Sequence, residues 1–441
     1  MTHTSDAPDA AAAPAGIPGG GTPPPVTPEQ LPALRRRVHA VLVASQILGG
    51  LGIAIGVALA AVLAKSVSGT EALAGLASTS MVAGPALLAM PLASLMNARG
   101  RRAGLTLAYL VGAAGAGVVV LGAVVDSFPL LLAGMVAFGG ASSANLQARF
   151  AAADLAEPER RARAISTVVW ATTIGAVLGP NIAAPAGRSV AGLGIPAEAG
   201  PFLWAAVVFL LSAVMVLVLL RPDPLLTARA LAVAAEGGEE DDRSLKAGIR
   251  AVRESSRARL ALVTVAASHA TMVSIMSMTP VALGHHGAGI ELIGLVISGH
   301  IAGMYAFSPL MGWLADRVGR LSVIGLAAGL LAGAALLAGT AGPSHAQTAA
   351  GLFVLGLGWS AGLVSGSALL TDSVPQAARA AVQGLSDTVM NTAAGLGGLM
   401  AGLIVAKAGY GWLNAVGALL LLPMAALVVR GALRGAAPEK S

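Results

Sequence analysis

Cysteine is absent from the whole 441-residue chain, which excludes disulfides, thiolate metal ligands and thiol nucleophiles together. Charge is scarce as well: Asp, Glu, Lys and Arg supply 11% of the residues, where a soluble domain carries about a quarter. Aromatic residues fall to 3%. What remains is aliphatic and small, with 56% of the chain hydrophobic, 57 glycines and a mean hydropathy of +0.79. Water would not dissolve such a surface. Small residues let helix backbones approach closely in lipid, so the composition points to packed membrane-spanning helices. The net charge of +6 assigns no nucleic-acid partner, because in a membrane protein the placement of basic residues is informative and their sum is not.

The chain also repeats itself. Gly312-Trp313-Leu314-Ala315-Asp316-Arg317-Val318-Gly319-Arg320 is a tight charged turn between two apolar runs, and Ala93-Ser94-Leu95-Met96-Asn97-Ala98-Arg99-Gly100-Arg101 is a weaker copy 219 positions upstream. Asp154, Pro158 and Arg161 ahead of one apolar run are echoed by Asp372, Pro375 and Arg379 ahead of another, with Asp154 and Asp372 218 positions apart. Two unrelated signatures at nearly one offset predict two similar halves of roughly two hundred residues, a symmetry common among membrane transporters.

Residues 1–37, rich in Ala, Pro, Gly and Thr, read as a disordered tail closed by Arg35-Arg36-Arg37. Apolar segments near the roughly 20 residues that span a bilayer then follow. Val38 to Ala64, Ala72 to Met96, Ala103 to Val125, Phe128 to Ala148, Ala164 to Ala186 and Gly200 to Leu220 predict an N-terminal six-helix bundle over 38–220. Leu260 to Leu283, Leu292 to Trp313, Leu321 to Thr340, Thr348 to Leu370, Val382 to Ala406 and Trp412 to Val429 predict a second over 260–430. Between them, 221–259 is a solvated, partly helical linker with the acidic cluster Glu239-Glu240-Asp241-Asp242, and 431–441 is a C-terminal tail. With the N-terminus inside, 24 of the 27 Lys and Arg residues fall on one side of the membrane, as the positive-inside rule requires. Both termini and the linker are therefore expected in the cytoplasm. The fold class is all-α membrane protein, with 12 transmembrane helices in two pseudo-symmetric six-helix bundles.

These features together, above all Gly-x-Leu-Ala-Asp-Arg-x-Gly-Arg between segments 8 and 9, resemble the major facilitator superfamily. In that family the motif usually stands between helices 2 and 3, where this chain carries Asn97 in place of the acidic residue. Gly312 and Gly319 permit a sharp turn, Asp316 suits the positive N-terminal end of a neighbouring helix, and Arg317 and Arg320 suit pairing. The resemblance implies that Asp316 reaches the other half, beside Arg161 or Arg163 at the start of helix 5, and holds the cytoplasmic side closed. With Asn97 and Arg101 these residues form the expected conformational latch. Gly175-x-x-x-Gly179-Pro180 on segment 5 resembles part of a drug-antiporter motif and is expected as a kink and close-packing site between the halves.

Polar groups inside an apolar segment are costly and mark sites. His269, Met272 and Met276 share one face of segment 7, and His300 and Met304 stand one turn apart on segment 8, at similar depth if the two segments pack as an antiparallel pair. Thioether and neutral imidazole suit Cu(I) in a chain without Cys, while Met-x-x-x-Met is also ordinary apolar packing. Met272-x-x-x-Met276 and His300-x-x-x-Met304 resemble the paired motifs of the CcoA-like copper-importing branch of the superfamily. That resemblance implies a copper site at Met272, Met276, His300 and Met304, with copper as transported substrate and no prosthetic group. His269 and the external His285 and His286 are further candidate ligands. Asp387, with Met390 and Asn391 on neighbouring turns and Arg149 at the inner end of segment 4, is the candidate for proton coupling or for a helix-packing ion pair.

The leading expectation is thus a monomeric copper importer in a bacterial cytoplasmic membrane, surrounded by lipid and working by alternating access. The alternative is a transporter of an organic solute, either riboflavin-like uptake or proton-coupled drug efflux. No nucleophile, metal triad or phosphate loop suggests an enzyme.

Overall fold

The computed structural model describes residues 26–27, 29–236 and 244–435. The acidic cluster Glu239 to Asp242 and most of the expected tails lie outside the described residues. The N-terminal half consists of α1 (Leu31–Ser68), α2 (Glu71–Arg99), α3 (Arg101–Val124), α4 (Phe128–Asp154), α5 (Arg161–Ser189) and α6 (Gly200–Leu219). Two linker helices follow, α7 (Pro224–Glu236) and α8 (Leu245–Glu254). The C-terminal half contains α9 (Ser256–His285), α10 (Ile290–Tyr305), α11 (Ser308–Val318), α12 (Arg320–Gly339), α13 (His345–Asp372), α14 (Arg379–Ala408), α15 (Tyr410–Leu419) and α16 (Leu422–Gly435). Among the described residues, twelve helical stretches are long and apolar enough to cross a membrane, six in each half.

Several boundaries differ from the sequence expectation for local reasons. α1 starts at Leu31, so Arg35, Arg36 and Arg37 stand in its opening turns and the tail ends before residue 37. A proline in the first turn favours that start, since it loses no intrahelical bond there and its φ is already helical. α9 starts at Ser256, because the Ser255 side chain accepts from the Ala258 N–H at 3.1 Å and caps the helix four residues ahead of the expected Leu260. Segment 8 breaks into α10 and α11 where Pro309 enters the first turn of the second piece. Segment 12 breaks into α15 and α16, the latter running past residue 430 to Gly435.

Each half has its own apolar core. The N-terminal core gathers Leu42, Leu63, Tyr109, Phe138, Phe202 and Phe209, and the C-terminal core gathers Val323, Leu331, Leu355, Val364 and Leu370. Phe150, Ala162 and Ile165 of α4 and α5 belong to the second core, so the halves share apolar surface where those helices meet it. α6 turns Leu210, Leu211, Val214, Leu217 and Val218 outward, which suits hydrocarbon and not water.

The repeat is visible in the backbone. Gly100 ahead of α3 has φ 87°, and Gly319 ahead of α12 has φ 93°, a region that other residues rarely adopt. Both turns therefore need their glycine. They lie at the basic end of the molecule, and there the halves close on each other. A side chain at Gly384 of α14 would strike Ala93 of α2, and one at Gly312 of α11 would strike Ser166 and come 2.7 Å from the Ala162 carbonyl of α5. The Gly175/Gly179 pair packs instead on Gly50, Leu51 and Ala54 of α1, inside the N-terminal half. Its expected place between the halves is corrected: the missing Cβ atoms let α5 lie on α1.

Overpacking of this kind costs about 1–3 kcal/mol, enough to shift a two-state equilibrium by about tenfold. Gly312→Val is expected to open the basic end. Ser308, whose Oγ donates to the Ser166 carbonyl at 2.9 Å, is fully buried there. Ser308→Cys should react with a thiol reagent about tenfold faster in the Gly312→Val background than alone, on a chain whose own thiol background is nil. Equal rates would show that this contact does not hold the end closed.

Candidate functional site

The basic end is closed by charge as well as shape. Asp316 accepts from the backbone N–H groups of Ala162 at 3.2 Å and Arg163 at 2.9 Å, the first donors of α5, which no helical carbonyl satisfies. Arg320 pairs with the same carboxylate at 3.1 Å, and the Arg163 side chain stands 4.0 Å away. Arg161 and Arg320 both grip Asp372, at 2.5 and 3.1 Å, so that Arg161 crosses between the halves. Arg320 also donates to the Pro158 carbonyl. Arg317 takes no part in the crossing and lies over the Trp313 ring at 5.2 Å, one turn back on its own helix.

The upstream copy of this turn is built differently. Asn97 cannot supply a charge, and the Arg229 guanidinium of linker helix α7 comes to it, donating to its side-chain oxygen, to its carbonyl at 2.7 Å and to the Ala377 carbonyl of the other half at 3.3 Å. Asp223 fixes α7 in place by accepting from the Arg102 N–H at 2.7 Å and from the Leu225 and Leu226 N–H groups at 3.0 and 3.2 Å. The linker thus closes this second latch.

Arg101, expected as part of that latch, is fully buried. Its guanidinium grips Asp154 with Nε at 2.7 Å and Nη2 at 3.1 Å, donates to Gln147 Oε1 at 3.0 Å and reaches Gln383 across the interface. Gln147 passes the network on, donating to Asp387 Oδ2 at 2.7 Å. Arg149 Nη2 meets Asp387 Oδ1 at 2.6 Å, and Arg149 Nε donates to Ser367 Oγ at 3.1 Å. Asn391 bonds the Asp387 carbonyl at 2.7 Å, while Met390 is absorbed in the C-terminal core. Arg149 and Ser367 are 218 residues apart, the repeat offset itself. Residues related by a two-fold operation touch only near its axis, so this network sits at the centre of the molecule. Arg149 Nη1 has no partner among the described residues, although the residue is 1% exposed.

The candidate copper ligands are not arranged as an adjacent helix pair. α9 and α10 barely touch, because α13 lies between them and packs on both. Glycines on α13 explain this: Gly356 sits against the His300 carbonyl and the Met304 N–H on α10, and Gly362 against Ser268 on α9. Met272 and Met304 belong to the apolar core, and Met276 packs against it. His300 is fully buried, with Nδ1 2.8 Å from the Leu352 carbonyl and Nε2 unpartnered. A carbonyl only accepts, so the proton is on Nδ1 and Nε2 keeps its lone pair. His285 and His286 are exposed at the far end of α9, and the His286 carbonyl lies 3.1 Å from His345 Nε2.

His269 has another partner. Trp359 Nε1 of α13 donates to its Nδ1 at 2.8 Å, so the imidazole proton sits on Nε2 as a donor. Tyr305 stands edge-on to the Trp359 ring with centroids 5.5 Å apart. In a chain with three Tyr and five Trp, one of each is thus gathered around a histidine that feels the Arg149 charge. On the other half, Gln46 Nε2 bonds Thr172 at 2.9 Å and leaves its carbonyl oxygen buried without a partner. Composition gave no sign of this wall, because single aromatic residues tens of positions apart carry no pattern until the helices pack.

Removing one member of a buried ion pair costs about 3–5 kcal/mol, mostly through the charge left behind. Arg149→Met is expected to lower thermal stability by that amount, and Arg149→Met with Asp387→Leu to recover most of it. Melting curves of both in detergent check this; a double variant as unstable as the single one would assign the loss to packing.

The sequence model of the Major Facilitator Superfamily matches residues 42–289 and 260–441. The chain is 37% identical over 404 residues to the uncharacterized MFS-type transporter YdeG of Bacillus subtilis, covering 91% of this chain and 94% of that one. It is 29% identical over 412 residues to the riboflavin transporter RfnT of Brucella anthropi, covering 92% and 98%. Among solved structures it resembles the human organic anion transporter MFSD10 (TETRAN), with a TM-score of 0.70 at 19% identity over 89% of this chain and 99% of that one. The transporter FucP in the outward conformation gives a TM-score of 0.66 at 15% identity over 89% and 98%. With two six-span halves, a charged turn repeated in each and a family match along nearly its whole length, the chain belongs to the Major Facilitator Superfamily.

Proposed function

We propose that this transporter takes up a planar aromatic solute of the riboflavin kind across a bacterial cytoplasmic membrane, with its basic end and both termini inside. The observation that carries this reading is the wall of His269, Trp359 and Tyr305, with Arg149 meeting Ser367 two turns further along α13 and keeping an Nη1 that has no partner among the described residues. Rings of Trp and Tyr offer faces and edges to a fused heterocycle, and Arg149 Nη1 and His269 Nε2 offer donors to its carbonyl and ring-nitrogen acceptors. The 29% identity to a riboflavin transporter along 92% of the chain supports the same class. In this orientation the Asp316 and Asp372 clusters close the cytoplasmic side. Asp387 is the coupling group: a proton on it removes the charge that holds Arg149 across the halves, leaves Ser367 as the crossing partner and loosens the floor of the site.

Copper import is the second reading, favoured by one observation. His300 holds its Nδ1 proton toward a backbone carbonyl and presents an Nε2 with no partner among the described residues, as a metal-ligating histidine does, with Met304 one turn away. Met272 and Met276 would complete the shell only by moving around α13.

Uptake into liposomes separates the two. Riboflavin should accumulate and stabilise the protein thermally, and Trp359→Ala should cut uptake by about tenfold, the usual worth of one stacked ring. His300→Ala and Met304→Ala should leave it within about a factor of two. Copper accumulation lost in His300→Ala and Met304→Ala, with no response to riboflavin, would replace the first reading with the second.

A further inference from the structure

A cavity of about 430 Å³ lies apart from the central site, at the basic end between the opening turns of α1 and α5. Arg35, Arg36, Arg160 and Arg163 line it against a single carboxylate, Glu157. Arg35 pairs with Glu157 at 2.5 Å, and Arg160 stands 3.7 Å from the other oxygen of that carboxylate. Arg163 has Asp316 at 4.0 Å, which leaves one carboxylate for the three guanidinium groups of Arg35, Arg36 and Arg160, and Arg35 Nε is buried with no partner among the described residues. The deeper walls are apolar, formed by Val38, Ala152, Leu155 and Ala164. The cavity therefore has a cationic mouth and a greasy floor. It opens where two spanning helices leave the apolar layer, at the depth of lipid headgroups.

We propose that this cavity binds the phosphate headgroup and upper acyl chain of an anionic phospholipid from the leaflet on the basic side. The phosphodiester accepts from the Arg36 and Arg160 guanidinium groups, which are solvent-exposed and free to turn toward it, while Arg35 stays on Glu157. The chain lies on Val38, Leu155 and Ala164, which gives a lipid an advantage over free phosphate. Basic pockets between spanning helices on such a face bind anionic headgroups by this chemistry. Arg163 connects the cavity to the latch, since its backbone N–H donates to Asp316 while its side chain lines the cavity. A bound phosphate draws that side chain away from Asp316 and leaves the backbone bond, so lipid occupancy tunes one contact of the closed end without opening it.

The test uses the full chain in detergent, with native mass spectrometry and melting curves in the presence of phosphatidylglycerol, phosphatidylcholine or inorganic phosphate. Wild-type protein should retain phosphatidylglycerol in preference to phosphatidylcholine. The double variant Arg36→Ala/Arg160→Ala should bind phosphatidylglycerol about thirtyfold more weakly, while Arg250→Ala/Arg257→Ala, which removes equal charge from the linker region, should bind as wild type. Ala164→Phe fills the floor, keeps every charge and should also lose the lipid. Equal retention of the two lipids, equal loss in both charge variants, or equal stabilisation by inorganic phosphate would overturn the proposal.

Discussion

No charge may stand alone in the apolar interior, and this constraint shapes the centre of the protein. Arg101, Arg149, Asp154 and Asp387 are all almost fully buried. Each would cost several kcal/mol unpaired. The pairing crosses the molecule: Arg101 and Arg149 come from α3 and α4, and their partners include Gln383 and Asp387 of α14 and Ser367 of α13. Docking of the halves at the basic end is thus imposed by electrostatics as much as by the small residues around Ala93 and Gly384. Any motion that separates the ends must either give these groups water or give them new partners.

Internal duplication explains why the parts fall where they do, and divergence explains why they differ. Gly100 and Gly319 have the same unusual backbone, and Arg101 and Arg320 pair with the repeat-related Asp154 and Asp372. The pairs have nevertheless parted in burial: Arg101 and Asp154 are sealed from solvent, whereas Asp372 keeps 24% of its side chain exposed. A sealed pair is sensitive to what opens beside it, and an exposed pair is screened by salt. Loss of the acidic residue at Asn97 has been answered by recruiting Arg229 from the linker, a connecting segment whose helix becomes part of the closing machinery.

Spans, halves and basic face were legible because hydrophobic length and charge placement are local signals. Asp316 could be placed against α5 through a family resemblance, since a carboxylate next to a helix start is a short-range chemical fit. The site was harder to read. His300, Met304, Met272 and Met276 look like one ligand set when segments 7 and 8 are taken as neighbours. The glycines of α13 decide otherwise, because Gly356 and Gly362 admit one backbone on each flank, and nothing in the spacing of α9 and α10 reveals a third helix. Gln383 was equally silent. A neutral amide in an apolar run carries little weight in sequence, yet here Gln147 connects the two buried ion pairs and Gln383 ties Arg101 across the halves.

The contacts that close the basic end differ in range, and that difference determines what a ligand must do. Asp316 bonds to backbone N–H groups of α5, whose geometry is fixed by the helix and lost within a small displacement. Arg161, Arg320 and Arg229 reach on long side chains and follow a moving partner some distance. Opening of the basic end therefore begins with a sharp step, the separation of α11 from the start of α5, and continues through contacts that stretch. A ligand shifts such an equilibrium only by its differential affinity for the two states. Contacts with the aromatic wall alone, all within the C-terminal half, would travel with that half and shift nothing. Contact with Arg149 is different, because its guanidinium already bridges the halves through Asp387 and Ser367.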